Sequence, residues 1–192
     1  MTSNHFLKNI YSEENFSKAE QEEIISYFKK TTIEKDTFLY KEGQYLDYFY
    51  ILEKGFVRSY AIDFNGKEIT TEFYSNHSIV IDWGSFFLKN PTQEFYQASV
   101  ETICWKLNFD DFQKLFHSIK NFRENGRKTL TGNYVQMKNK NLLLITENAK
   151  ERYLHLLKTR PEVIQNASLK HIATYLGITD TSLSRIRKEI SL

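Results

Sequence analysis

The sequence predicts an α+β chain: a block of short β-strands between helices, with a pair of short helices near the C-terminal end. Three observations carry this. From residue 36 to about residue 108, short runs rich in Tyr, Phe, Ile, Val and Thr are broken by Lys41-Glu42-Gly43-Gln44, Lys54-Gly55, Asn65-Gly66, Asn76 and Asn90-Pro91, which reads as a β barrel or sandwich. On either side the apolar residues recur by threes and fours, the period of a helix. Close to the end, two such patterns are separated by the single glycine Gly177. With 41% hydrophobic and 26% charged residues and only 7 Gly and 2 Pro among 192, disorder and fibre are excluded, and the length suits one large or two small domains.

Taken in order, residues 12–30 read as a helix. Ser12 is its N-cap, Glu13 and Glu14 sit in its first turn, Phe16, Ala19, Ile24, Tyr27 and Phe28 form its stripe, and Lys29-Lys30 its end. Within the β block, Asn65-Gly66 between Val57–Ile62 and Glu68–Tyr74 predicts a hairpin closed by a type I′ turn, because both central residues of that turn need positive φ and these two tolerate it. Residues 110–118 form a short helix whose Asp110-Asp111 favour the positive end of the dipole. A long helix follows over about 122–144, where Phe122, Leu130, Tyr134, Met137, Asn141 and Leu144 advance by threes and fours. That stripe either packs on the chain's own barrel or forms a two-stranded parallel seam with Asn141 as the polar residue that fixes register. Gly126 and Gly132 each cost about 1 kcal/mol against Ala and predict a kinked or mobile first half.

The sharpest pattern runs from Ser168 to Ile190. Leu169, Ile172, Ala173 and Leu176 share one helical face behind the N-cap Ser168; Gly177 supplies a left-handed turn, Ile178 plugs the corner and Thr179 caps the next helix. Leu183, Ile186 and Ile190 then face inward, leaving Thr181, Ser182, Arg185, Lys188 and Glu189 outward. This is a helix-turn-helix, whose second helix lies in the major groove of double-stranded DNA. Arg185 can donate two hydrogen bonds to a guanine, with Thr181 and Ser182 as the other base-reading residues, while Lys170, Thr179, Arg187 and Lys188 are placed for the backbone. The plain alternative is a helical hairpin that only packs. Charge agrees with DNA: residues 150–192 hold eight Lys and Arg against four Asp and Glu, although the whole chain carries only +2.

These residues resemble bacterial transcription regulators of the Crp/Fnr family. The helix-turn-helix carries the likeness, together with Lys41-Glu42-Gly43-Gln44, Tyr50-Ile51-Leu52-Glu53-Lys54-Gly55-Phe56-Val57-Arg58, Glu151-Arg152-Tyr153-Leu154 with Leu157, and Arg160-Pro161. The resemblance implies an N-terminal double-stranded β-helix, a cyclic-nucleotide-binding-like jelly roll, over residues 1–118. It further implies a dimerisation helix over 119–146 and a winged-helix-like helix-turn-helix domain over 147–192. It implies a homodimer on a near-palindromic operator, RNA polymerase as a partner, and a cytoplasmic location. Members that bind cyclic AMP use Gly-Glu-Leu and later Arg-Ser/Thr-Ala, the acid taking the ribose and the arginine the phosphate. Here the corresponding stretches are Ile79-Val80-Ile81-Asp82-Trp83-Gly84-Ser85-Phe86 and Phe95-Tyr96-Gln97-Ala98-Ser99. Asp82 stands for the acid, but Tyr96 or Gln97 replaces the arginine, so response to cyclic AMP is not expected. A pocket for another effector would be lined by Phe73, Ile81, Trp83, Phe86 and Tyr96, unless these aromatics are simply core. Only two residues follow Ile190, so the β-hairpin that often trails the second helix is expected to be missing.

Other functions fare worse. Cys104 is the single cysteine, which excludes an internal disulfide and a thiolate-held iron–sulfur cluster, and suits a reducing compartment. His5, His77, His117, His155 and His171 show no HxH, HExxH or HxxxH spacing, so a cupin-like metalloenzyme is not favoured; a haem sensor would have only His77 in the β block as an axial ligand, and a loop histidine is far commoner, so no cofactor is implied. No GxSxG motif is present, and the longest aliphatic run, Leu142-Leu143-Leu144-Ile145, is far too short for a membrane span. A sensor that works by protein contacts without DNA remains the competing reading.

Overall fold

The computed structural model describes residues 4–190. Helices α1 (His5–Ile10) and α2 (Lys18–Tyr27) lead into strands β1 (Lys29–Ile33), β2 (Phe38–Tyr40), β3 (Tyr48–Lys54), β4 (Val57–Ile62), β5 (Glu68–Tyr74) and β6 (Ile79–Val80). A short helix α3 (Trp83–Leu88) interrupts them before β7 (Phe95–Ala98) and β8 (Thr102–Asn108). Then come α4 (Phe109–Ser118), α5 (Lys120–Thr146), α6 (Ala149–Thr159), α7 (Pro161–Asn166), α8 (Leu169–Tyr175) and α9 (Asp180–Ile190). The strands form two four-stranded antiparallel sheets, β1-β8-β3-β6 and β2-β7-β4-β5, closing into a roll. The α+β fold expected from the sequence is thus the one observed.

Residues 12–30 are not one helix. The chain turns at 12–16, and Ser17 rather than Ser12 caps α2: its hydroxyl accepts the Glu20 N–H at 3.3 Å while the Glu20 carboxylate accepts the Ser17 N–H at 2.8 Å. Ala19 is exposed; Gln21, Ile24 and Ile25 make the buried face of α2. Lys29-Lys30 belongs to β1, an edge strand paired with β8, because extended backbone there lets Thr31 and Ile33 reach the sheet.

The β4–β5 hairpin has the expected strands but a different turn. Only Gly66 has positive φ, +78°; the Asp63 carboxylate accepts the N–H groups of Asn65 and Lys67, both at 2.9 Å, and holds Asn65 in an ordinary conformation. One further glycine is obligatory. Gly55, at φ +142°, brings the β3–β4 turn so close to Thr102 that a Cβ would lie 2.4 Å from its hydroxyl oxygen.

Two hydrophobic clusters result. The larger fills the roll and takes in α1, α2, α4 and Phe122 of α5. In the smaller, Tyr153, Leu156, Val163, Ile172, Ala173, Leu176, Leu183 and Ile186 of the C-terminal helices close around Phe56 and Phe73, which come from the roll. Helix α5 runs unbroken through Gly126 and Gly132 and is about 40 Å long at about 1.5 Å per residue.

Candidate nucleic-acid interface

Helices α8 and α9 form the helix-turn-helix with the caps expected. Ser168 accepts the His171 N–H at 3.2 Å, and Thr179 accepts the Ser182 N–H at 3.2 Å. Gly177 between them is left-handed at φ +68°. Ile172, Ala173, Leu176, Leu183 and Ile186 are buried, while Leu169, expected on the same inner face, is 40% exposed at the first position of α8. Arg152 fastens the assembly from α6, donating to the carbonyls of Leu176 at 3.0 Å and Glu147 at 2.7 Å.

The residues expected to face outward are exposed, except Ser182. Thr181, Arg185, Arg187 and Lys188 are exposed on α9, Lys170 is exposed on α8, and Thr179 is exposed at the cap. Ser182 is half-buried, and its hydroxyl lies 2.9 Å from that of Thr179, so its first task is the cap. Thr181 and Arg185 are four residues apart and share one face of α9.

A further set of residues, which sequence reasoning missed, seats these helices on the roll. On β5 the Thr70 N–H donates to the Thr174 hydroxyl at 3.2 Å, and the two hydroxyls are 3.0 Å apart. Glu72, also on β5, pairs with Arg160 at the α6–α7 junction and, at 3.5 Å, with Lys140 of α5. The Lys140 ammonium sits 3.9 Å from the centre of the Tyr175 ring, which leans on Phe73 at 5.1 Å. Burial pushes the Glu72 carboxyl up, but Lys140 and Arg160 outweigh it and hold the group below the usual carboxylate range. Beside this knot Arg58 of β4 is buried, pairs with Glu68 and stacks over Tyr60 at 4.1 Å. Burial first, then the Arg58 charge, lowers the pKa of His171 on α8.

The roll interior is packed with rings. Tyr96 is 1% exposed, donates its hydroxyl to Glu94 at 2.6 Å, and has Tyr40 and Tyr74 as neighbours at 6.5 and 6.3 Å. Ile81 is buried, and Phe86 is wedged between Phe49 and Phe112. Trp83 stacks on Phe87 along α3 at 5.8 Å. Asp82 is used as the α3 cap, accepting the Ser85 N–H at 3.1 Å and the Thr92 hydroxyl at 2.7 Å. With Asp82 and Gln97 counted beside the five expected lining residues, two of these candidate effector-pocket residues lie elsewhere. Gln97 alternates to the other face of β7 and donates to the Asp36 carbonyl, and Phe73 points into the C-terminal cluster. Among the described residues no Lys or Arg is bonded to Asp82 or Tyr96.

The long-helix residues also divide. Phe122 is 4% exposed in the roll core against Tyr11 and Phe112, so it belongs to no seam. Leu130, Tyr134, Met137 and Leu144 are exposed by 50, 59, 56 and 40%, with Asn141 exposed among them.

Residues 30–118 match the family model of the cyclic nucleotide-binding domain. The chain is 27% identical over 169 residues to the fumarate and nitrate reduction regulatory protein of Yersinia pestis, covering 82% of this chain and 67% of that one. It is 25% identical to the anaerobic regulatory protein of Haemophilus influenzae, covering 82% and 65%. The chain therefore spans about two thirds of the length of these relatives. Among solved structures it superimposes on FixK2 from Bradyrhizobium japonicum with a TM-score of 0.72 at 21% identity, covering 85% of this chain and 84% of that one. For the catabolite activator protein of Thermus thermophilus the TM-score is 0.60 at 16% identity, covering 93% and 85%. Sequence similarity to the anaerobic regulators and the shared order of roll, long helix and helix-turn-helix agree in supporting a regulator of the Crp/Fnr type.

Proposed function

We propose that the chain is a sequence-specific DNA-binding transcription regulator, acting as a homodimer on a near-palindromic operator and without response to cyclic AMP. The observation that carries this is the α9 face: Thr181 and Arg185 stand exposed, flanked by exposed Lys170, Arg187 and Lys188, although α8 is docked on the roll through its other side. Arg185 reads a base, with Thr181 and Ser182 at the edge of the same contact. Lys170, Thr179, Arg187 and Lys188 hold the phosphates.

The second copy is supported by the exposed stripe on α5. Leu130, Met137 and Leu144 repeat every seven residues, as do Tyr134 and Asn141, which is the a/d pattern of a parallel two-stranded seam that begins after Phe122. Such a seam would set the two α9 helices about 34 Å apart, one turn of DNA. On this reading residues 1–118 are the sensor-like roll, 119–146 the dimer helix and 147–192 the DNA-binding unit, working in the cytoplasm with RNA polymerase. Insensitivity to cyclic AMP is supported by the ring-filled roll, in which Asp82 is already engaged and Tyr96 is buried, and by the sequence, which has Tyr96 or Gln97 where the resemblance calls for the phosphate-binding arginine.

The test is selection of random duplex DNA on the purified protein, with and without cyclic AMP. Enrichment of one inverted repeat in both arms is expected. Enrichment only with the nucleotide would overturn the reading of Tyr96, and enrichment in neither arm would sink sequence-specific binding by this chain alone.

A further inference from the structure

We propose that the cleft between the roll and α7 is a binding site for a short zwitterionic peptide with apolar side chains. The cleft is open to solvent on one side and has a volume of about 610 Å³, within the range of roughly 300–1,000 Å³ usual for small-molecule sites. One wall is the β3–β4 turn and the segment before β8; the other is α7. It lies outside the ring-filled interior of the roll and shares no residue with the outward face of α9.

The walls are fixed. Gly55 donates its N–H to the Asn76 side chain at 2.9 Å and presses against Thr102, so the turn cannot fold into the space. Arg160, at the head of α7, is tied to Glu72 and to the Phe73 carbonyl. The apolar lining comes from half-buried Val100 and Ile103, with buried Phe56 behind them.

The charges on the walls select the ligand. Lys54 and Glu101 both line the cleft, yet neither has an ion pair or hydrogen-bonding side-chain partner among the described residues. Glu162, the other acid there, is already compensated by Arg160 at 3.5 Å. The cleft thus offers one uncommitted cation and one uncommitted anion above an apolar floor. A carboxylate at Lys54, an ammonium at Glu101 and aliphatic side chains on Val100 and Ile103 complement that arrangement, and the exposed amide of Gln165 supplies both donor and acceptor for a peptide group. A ligand seated there touches roll and α7 together.

The experiment is calorimetric titration of the full chain with leucyl-leucine, with its N-acetyl derivative, which lacks the ammonium, and with its C-terminal amide, which lacks the carboxylate. The zwitterion should bind, and removal of either charge should weaken binding by about tenfold. Lys54→Gln should abolish the preference over the amide alone, and Glu101→Gln the preference over the N-acetyl form alone. Both residues are exposed, so neither variant threatens the fold. No saturable binding of leucyl-leucine, equal affinity for all three compounds, or preferences untouched by the two substitutions would each overturn the proposal. DNA is absent from the assay, so its outcome is separate from that of the operator selection.

Discussion

The interior of the roll and the outward face of α9 treat their polar groups in opposite ways. Inside the roll the Asp82 carboxylate caps α3 and takes the Thr92 hydroxyl, and the Tyr96 hydroxyl is bound to Glu94, so the chemistry that would meet a ligand is consumed by the protein itself. On α9 and the start of α8, Arg185 and Lys170 extend into solvent with no ion pair among the described residues. A buried polar group must be satisfied at once, whereas an exposed one can wait for a partner. The difference teaches where to look in a sensor-like fold: at the groups the fold has left uncommitted.

The comparison can be broken most forcefully at Tyr96. Replacing it with Ala empties the ring cluster and should cost about 3–5 kcal/mol of stability, read from the urea midpoint; a loss under about 1 kcal/mol would mean that the interior is loosely packed and open to a ligand. Arg185→Ala should leave the urea midpoint in place and cost about 1–3 kcal/mol on the selected operator, with relaxed base preference at one position. Unchanged operator affinity in a binding titration would remove α9 from the proposed contact. Smaller again, Lys170→Ala should weaken all sequences alike and flatten the salt dependence of binding by about one unit; a loss confined to one sequence would make Lys170 a base reader.

The contact between the two regions carries a pH effect of its own. His171 is disfavoured as a cation in the docked helix by burial, by Arg58 and by Lys170, with Glu68 and Asp180 opposing. Its folded pKa therefore lies below the ordinary 6.5, so the stability it contributes is complete above that value and declines as pH falls through the lowered pKa. Urea midpoints between about pH 7 and pH 5 should fall less for His171→Gln than for the parent chain. Glu72, also depressed, acts only below the usual carboxylate range and stays out of that window. An identical decline in both proteins would place the titration elsewhere.

Strands and caps were legible in the sequence because their signals are local. Asn65-Gly66 between two β-rich runs marked β4 and β5, and Ser168, Gly177 and Thr179 announced their turn. The turn at 12–16 was hidden by burial: Phe16 enters the core, so the apolar rhythm of α2 runs back across it to Ser12 in the sequence. The capping box at Ser17 and Glu20 was the signal that could have revealed it. The type I′ expectation failed because a carboxylate two residues upstream of Asn65 took charge of the loop. The docking of α8 on β5 had no such mark, since Thr70 and Thr174 are 104 residues apart and Glu72 and Arg160 are 88 apart, and no periodicity links residues at those distances. The proposed base-reading and phosphate residues were legible as outward positions, whereas Gln97 was grouped with Tyr96 although consecutive strand residues face opposite sides, and nothing local marks Phe73 for the C-terminal cluster.

Lys140 and Asn141 are consecutive on α5, so their side chains leave the helix about 100° apart. One grips Glu72 and lies over Tyr175, while the other belongs to the exposed stripe. The helix is therefore a crankshaft: a neighbour that turned α5 by a single residue step would swing Lys140 away from Glu72 and loosen the seat of the helix-turn-helix. Grip along the stripe and posture of the distal helices become two measures of one angle.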